Sequence, residues 1–252
     1  MDFLGTPDVG PLLFFGLTLA SFATAFIGVF TGTAGGLILL GLMAMAMPPA
    51  ALLPVHTVVQ LGSGVTRTMI MWRFVMRATL LPFIVGAVLG AAAGAKIFIA
   101  LPVWTLQAIL GLFMLVVTWL PHLGRIGAER GRFVVLGFVA TFVGVFVSAT
   151  GTLVTPFVAS AAPDRRNHAA TLGALMVFVH IAKMAAFAVI GFAISAYVPL
   201  MIAMIAAGAA GNWIGEEALH RTTEWRFRLI LKLFLTVLGL QLLWSAARAG
   251  WM

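Results

Sequence analysis

Long apolar stretches, separated by short polar connections, form the main pattern along this chain of 252 residues. Four segments contain no ionised side chain, and they lie between Asp8 and Arg67, Lys96 and Arg125, Arg132 and Asp164, and Lys183 and Glu216. Each is longer than the ~20 apolar residues that cross a bilayer as a helix. The pattern predicts an all-α, polytopic membrane protein. It excludes a β-barrel, whose strands would appear as segments of ~10 residues with alternating apolar and polar positions.

Prolines, glycines and charges divide the apolar sequence into eight runs. Two of the runs are too long for one crossing and too short for two full ones, and each is interrupted by small and hydroxyl residues. These interruptions are residues 32–36 in the first run and 148–152 in the fifth. The eight runs are 11–47, 55–72, 78–100, 102–121, 133–162, 168–191, 195–215 and 227–247.

The two interrupted runs resemble each other at an offset of 116 residues. Six of the fifteen positions from 26 to 40 are identical to their counterparts from 142 to 156, and the same offset places Arg67 on Lys183. We therefore predict a duplicated unit of two transmembrane repeats, the first comprising residues 1–126 and the second residues 127–252.

A second glycine motif recurs at an offset of 121 residues, where Gly90-x-x-x-Gly94 matches Gly211-x-x-x-Gly215. Small residues four positions apart let two helices approach closely inside a membrane. We interpret Gly90 and Gly94 as such a packing face, and the recurrence of the motif as a further sign of duplication.

The basic loops predict the orientation of the chain, because cytoplasmic loops carry an excess of Lys and Arg. The net charge of +8 is concentrated in such loops and not on a surface for nucleic acid. The loops at 122–132 and 163–168 are both basic, so the run between them should leave and return on the cytoplasmic side. The same reasoning for the first run puts both termini outside. Each repeat is then a Gly-broken hairpin plus three transmembrane helices, and the second repeat is inverted relative to the first, as in many secondary transporters.

Gly-rich breaks at matching places in two repeats indicate a binding site at membrane depth. Backbone N–H groups at the ends of half-helices suit an anion, and neighbouring hydroxyls add donors. For a single break, close helix packing would be the simpler interpretation; two matched breaks favour the site. The residues that the breaks contribute to the predicted substrate site are Thr31, Thr33, Gly35, Gly36, Ser148, Thr150, Gly151 and Thr152.

Two cations, Arg67 and Lys183, lie within otherwise apolar runs. A cation inside a membrane usually pairs with a partner or with a substrate. All seven acidic residues fall in termini, loops or span ends, so an anionic substrate would be the partner. The alternative is that these side chains extend to the cytoplasmic interface, an interpretation that is stronger for Arg67, six residues before Arg73.

Polar residues of the second and sixth runs complete the predicted substrate site: His56, Thr57, Gln60, Thr171 and His180. Histidine titrates near neutral pH, and His180 lies one helical turn before Lys183. Either histidine could therefore carry a proton, with His180 favoured, or the substrate itself could carry it. A hydrogen-bonded packing role for His180 and a helix-capping role for His56 are the alternatives.

Several classes of protein are not supported by the sequence. Without cysteine it has no disulfides, thiolate metal sites or Cys nucleophiles. No histidine and carboxylate spacing offers three metal ligands, and no P-loop, HExxH or GxSxG motif is found. The sequence therefore predicts no cofactor, no metal, no nucleic-acid partner and no enzymatic activity.

The two Gly-rich segments, residues 28–36 and 144–152, resemble those of the sulfite exporter TauE/SafE family of bacterial transport proteins. Further similarities are the helix starts at 50–57 and 169–171, Gly211-x-x-x-Gly215 with the basic loop after it, and the segment 238–242. The resemblance implies a proton-linked, multi-pass carrier in the bacterial cytoplasmic (inner) membrane for sulfite, organosulfonates or related anions. The second repeat departs from the family pattern at Thr152, where a further Gly is usual, which bears on the substrate more than on the fold.

Together these features predict a secondary transporter that exports a small anion such as sulfite or an organosulfonate. Rocking of the two repeats would alternate access to a site at the membrane midplane. The expected partners are the anion, protons and the lipid bilayer, and a homodimer is compatible with the sequence. The alternative is an anion channel in which the same residues line a continuous pore.

Overall fold

The computed structural model describes residues 3–31, 34–98, 100–119, 131–148, 150–189, 191, 194–218 and 225–250. Within these ranges the regular elements are helices, which confirms the all-α prediction. The α-helices are α1 (Pro11–Thr31), α2 (Ala34–Ala44), α3 (Pro49–Ile70), α4 (Leu80–Phe98), α5 (Val103–Trp119), α6 (Arg132–Val147), α7 (Gly151–Ala161), α8 (Arg165–Val189), α9 (Val198–Ala218) and α10 (Trp225–Gly250).

Both long apolar runs are divided where the sequence places the breaks. α1 ends at Thr31 and α2 begins at Ala34, while α6 ends at Val147 and α7 begins at Gly151. α2 and α7 contain 11 residues each. At a rise of 1.5 Å per residue such a helix is ~16 Å long, about half of the ~30 Å hydrocarbon core. Each interrupted run is therefore a longer helix followed by a half-length one.

Two helices, α3 and α8, begin three or more residues earlier than the apolar runs predict. α3 begins at Pro49 and not at residue 55, so Pro54 lies inside the helix. A proline near the start of a helix removes a single backbone hydrogen bond, which the rest of the helix tolerates. α8 begins at Arg165 and not at residue 168, so its first turn consists of polar residues that precede the apolar run. His56 consequently lies within α3, which excludes the interpretation of His56 as a helix cap.

The described surface of the molecule is apolar, and its largely apolar interior also contains buried polar side chains. Side chains on α1, α4, α6, α8, α9 and α10 that are more than 60% exposed include Leu12, Leu19, Leu81, Val135, Val189, Ile202 and Val237. Buried polar side chains include Ser21, Thr24, His56, Thr57, Ser148, His180, Lys183 and Asn212. An exterior of this kind suits lipid, because a soluble monomer rarely exposes large apolar patches.

Four stretches of the described chain are long and apolar enough to cross a membrane: Pro11–Val29, Arg77–Phe98, Arg166–Val189 and Ser195–Gly215. The prediction of three full spans after each hairpin exceeds these four and stays a prediction. The boundary between residues 126 and 127, and most of the loop at 122–132, fall outside the described residues.

Helix contacts between the two predicted repeats recur with the partners exchanged: α1 packs on α9, and α6 packs on α4. A Cβ atom added at Gly94 would lie 3.2 Å from the carbonyl oxygen of Phe142, and one at Gly215 would lie 3.1 Å from that of Phe26. Phe26 and Phe142 are themselves 116 residues apart. Gly90 faces the backbone of α6 in the same way, so the predicted packing role of Gly90 and Gly94 is confirmed.

α3 contacts α8 and α9. α5 and α10 pack on each other, with Gly111 of α5 against the backbone of Gly239 in α10. The predicted site residues come together where α3 and α8 contact the two breaks.

Candidate functional site

A cavity of about 80 Å³ lies where both breaks meet α3 and α8. The lining side chains include hydroxyls, an amide, a guanidinium and an imidazole, and none of the described lining residues is acidic. They are Ser21, Thr24, Ala25 and Gly28 of α1, Gly35 and Gly36 of α2, Gln60, Ser63, Gly64 and Arg67 of α3, Ser148, Thr150 and Gly151 at the second break, and Leu172, Gly173, Met176 and His180 of α8.

Eleven of the fifteen predicted site residues lie in or directly behind this cavity. Those that line it are Gly35, Gly36, Gln60, Arg67, Ser148, Thr150, Gly151 and His180. Three more, His56, Thr57 and Lys183, contact Ser148 from behind the wall. The cavity thus joins both hairpin breaks, as the sequence predicts, while the binding of substrate by these residues stays a prediction.

The remaining four predicted residues are placed differently. Thr171 is buried away from the cavity, and its hydroxyl accepts a hydrogen bond from the backbone N–H of Met76 at 2.9 Å. Thr152 does not line the cavity. Thr33 lies outside the described residues, and Thr31 closes α1 with a side chain that is also outside them.

Ser148 is the polar junction at the second break. Its φ of 59° is left-handed, a conformation that non-glycine residues rarely adopt; the counterpart in the first repeat is Gly32. The Ser148 hydroxyl lies 3.0 Å from His56 Nδ1 and 3.0 Å from Thr57 Oγ1. A serine at this turn therefore supplies a hydroxyl that glycine could not.

The Lys183 ammonium is held behind the cavity wall by Ser148. Lys183 Nζ donates to Ser148 Oγ at 2.9 Å and to the Ser148 carbonyl oxygen at 3.2 Å. The side chain is fully buried, and its Cδ would lie 3.3 Å from a Cβ at Gly144. Lys183 therefore does not extend to the membrane interface, and Ser148 lies between its ammonium and the cavity.

His56 joins the two hairpins across the middle of the molecule. Its Nε2 lies 2.9 Å from the carbonyl oxygen of Gly36 in α2, and its Nδ1 contacts the Ser148 hydroxyl. Because a carbonyl oxygen can only accept, Nε2 carries a proton. Nδ1 then accepts from Ser148 while His56 is neutral.

Arg67 faces the cavity from α3. Its Nη2 would lie 3.3 Å from a Cβ at Gly28, so the guanidinium packs closely on that position of α1. The same Nη2 donates to Oδ1 of Asn212 in α9 at 3.3 Å. The guanidinium is therefore directed into the protein, beside the first break.

His180 and Thr150 line the cavity, and each has a buried polar atom with no hydrogen-bond partner in the described part of the chain. These atoms are His180 Nδ1 and Thr150 Oγ1. The His180 side chain is 5% exposed. A buried polar atom without a partner costs ~1–3 kcal/mol, so water or a ligand in the cavity would stabilise both.

Several cavity residues were not predicted from the sequence. Ser21, Thr24 and Gly28 line one face of α1 at spacings of three and four residues, which is a helical pattern that could have been recognised. Gly28 also lies at the repeat offset from Gly144, which packs on Lys183. Asn212 could have been noticed as an amide within an apolar run.

A family model described as Sulfite exporter TauE/SafE matches residues 17–242. The matched segment includes both breaks, the whole second hairpin, the first hairpin from residue 17 onward, and all the described residues that line the cavity. Comparisons with curated proteins and with solved structures found no match. The match confirms the resemblance drawn from the Gly-rich segments, and the apolar exterior agrees with a membrane location. The chain therefore belongs to the sulfite exporter TauE/SafE family.

Proposed function

We propose that this protein is a proton-linked secondary transporter that exports a small anion, such as sulfite or an organosulfonate, across the bacterial cytoplasmic membrane. Membership of the family supports the class of substrate and the membrane location. The cavity supports the assignment of the site, because it lies at both hairpin breaks and contains donors without described acidic neighbours.

The observation that carries the proposal is a polar, cation-lined cavity inside a protein with an apolar exterior. Arg67 lies on its wall, and Lys183 is one hydrogen bond behind the wall at Ser148. His180 and Thr150 offer atoms without described partners. The small volume of about 80 Å³ suits a small oxyanion better than a long organic substrate.

The exchanged helix pairs support an inverted repeat as the basis of transport. α1 on α9 and α6 on α4 use equivalent glycine and phenylalanine positions. Because the two helix interfaces are equivalent, a conformation in which one of them shifts should pack about as well as a conformation in which the other shifts. Rocking at these two interfaces would open the cavity to one side and then to the other.

For proton coupling we favour His180 over His56. Both nitrogens of His56 have partners, at Gly36 and Ser148. His180 has Nδ1 without a described partner and lines the cavity. A proton on His180 and an anion bound in the cavity would attract each other, which ties protonation to occupancy. A substrate that carries its own proton, such as bisulfite, is the competing route.

Counterflow in proteoliposomes tests the proposal. Vesicles loaded with unlabelled sulfite should transiently accumulate labelled sulfite above its external concentration, because a carrier exchanges one for the other. With the membrane potential held at zero, a channel would only equilibrate the label. Taurine, sulfoacetate and simple carboxylates as competitors would define the substrate. Absence of accumulation with every anion, in vesicles that contain folded protein, would overturn the proposal.

A further inference from the structure

Asn212 of α9 is buried between two residues of α3 that line the cavity. Its Oδ1 accepts from Arg67 Nη2 at 3.3 Å, and its Nδ2 donates to Ser63 Oγ at 2.9 Å and to the Ser63 carbonyl oxygen at 3.3 Å. The side chain is 2% exposed. Both ends of the Asn212 amide are therefore hydrogen-bonded to α3, the oxygen to Arg67 and the nitrogen to Ser63 one turn earlier.

The orientation of this amide follows from its partners. The Ser63 carbonyl oxygen can only accept a hydrogen bond, so the NH₂ group must face Ser63. The amide oxygen must then face the guanidinium, which can only donate. Ser63 thus determines which end of Asn212 meets Arg67.

α9 is held firmly at this point in the chain. The adjacent Gly211 lies against the backbone of Phe22 in α1, so closely that a Cβ would collide with the Phe22 carbonyl oxygen. Gly215, one turn later, packs on Phe26 less closely, with 3.1 Å from an added Cβ to the Phe26 carbonyl oxygen. Groups on rigidly packed helices are positioned more accurately than groups on loops, and Asn212 is of this kind.

Lys183, the counterpart of Arg67 in the second repeat, has no amide partner of this kind in the described chain. The residue that matches Asn212 at the offset of 121 is Ala91, which is buried and has no side-chain acceptor. Lys183 is instead bonded to Ser148 and withdrawn behind the wall. The cation that lines the cavity, Arg67, therefore has an amide partner in Asn212, whereas the matching position in the other repeat is the alanine Ala91.

We propose that Asn212 is a positioning residue, which holds the Arg67 guanidinium at the cavity wall and so sets the affinity for the anion. The inference rests on the proposed function, since it needs an anion in this cavity. Asn212 acts across the two predicted repeats, because α9 belongs to the second and α3 to the first. It acts through Arg67 and does not itself line the cavity.

A double-mutant cycle on the full-length protein tests this mechanism, with equilibrium binding of radiolabelled sulfite as the measurement. Asn212→Leu, which is similar in size, should weaken binding about tenfold in the parent chain and less than about twofold in an Arg67→Met chain, because partners in one interaction are not additive. A merely structural role for Asn212 would give equal losses in both backgrounds, and that result would overturn the inference.

Asn212→Asp provides a second variant in case the leucine chain does not fold. Its carboxylate would neutralise Arg67 and oppose the Ser63 carbonyl, so sulfite binding should fall at least about tenfold. The matched control is Asn167→Asp, at the only other asparagine of the chain, whose Nδ2 donates to the Phe74 carbonyl oxygen. Equal binding by the two aspartate variants would contradict the inference. No anion binding by the parent chain would overturn the proposed function and the inference together.

Discussion

Replacing Lys183 with methionine removes a buried ammonium whose hydrogen bonds, in the described chain, end on Ser148. Ser148 Oγ lies 2.9 Å from Nζ, and Ser148 lines the cavity, so an anion in the cavity beside that residue would be roughly 6 Å from the ammonium charge. At an effective dielectric constant of about 20, two unit charges at this distance interact by roughly 3 kcal/mol. Lys183→Met should therefore weaken anion binding by up to about a hundredfold.

The assay is equilibrium binding of sulfite to purified protein, with size-exclusion elution as the check that each variant is folded. Lys96→Met is the matched control, because Lys96 is exposed in the last turn of α4. It should bind sulfite as the parent does. If folded Lys183→Met also bound sulfite as the parent does, the buried ammonium would not act on the cavity, and the electrostatic reasoning through Ser148 would be refuted.

Three further predictions concern the orientation of the chain, the proton and the packing of the first hairpin. Single cysteines in the loops at 122–132 and 163–168 should both react from the cytoplasmic side, and labelling from opposite sides would contradict the returning hairpin. His180→Gln should abolish accumulation driven by a pH gradient and spare exchange at equilibrium; unchanged gradient-driven uptake would leave the substrate as the proton carrier. Gly35→Ala should lower the free energy of unfolding by ~1–3 kcal/mol or more, and with it the melting temperature, because the added Cβ would collide with backbone atoms of α1. Gly16→Ala, with nothing within 4 Å of its Cβ, should not lower it, and equal melting temperatures would contradict this account.

Local signals in the sequence are sufficient for the helices and the breaks. The absence of charge over more than a bilayer's width predicts membrane helices, since lipid excludes ionised groups and unpaired backbone groups. Glycine and hydroxyl residues at 32–36 and 148–152 mark the two interruptions, because they lower helix propensity at those points. Comparison of the chain with itself shows the matched positions, including Arg67 with Lys183.

The roles of matched residues depend on tertiary contacts that no local signal contains. Arg67 and Lys183 occupy equivalent positions in the sequence, yet Arg67 faces the cavity and Lys183 is bonded behind Ser148. The difference comes from Asn212 and Ser148, which approach the two cations from distant parts of the chain. Thr171 illustrates the opposite case, a polar residue in an apolar run whose hydroxyl serves a neighbouring loop at Met76.

By itself the sequence determined the class of protein, the two interruptions and the family, since each depends on composition, periodicity or similarity along the chain. Only the tertiary structure decided which polar side chains share the cavity, which cation lines it, and that His56 connects Gly36 to Ser148 across both hairpins. The physical reason is that a hydrogen bond in an apolar interior needs both partners within about 3 Å. That proximity is created by packing α3 and α8 against the breaks, between residues that are 92 positions apart for His56 and Ser148.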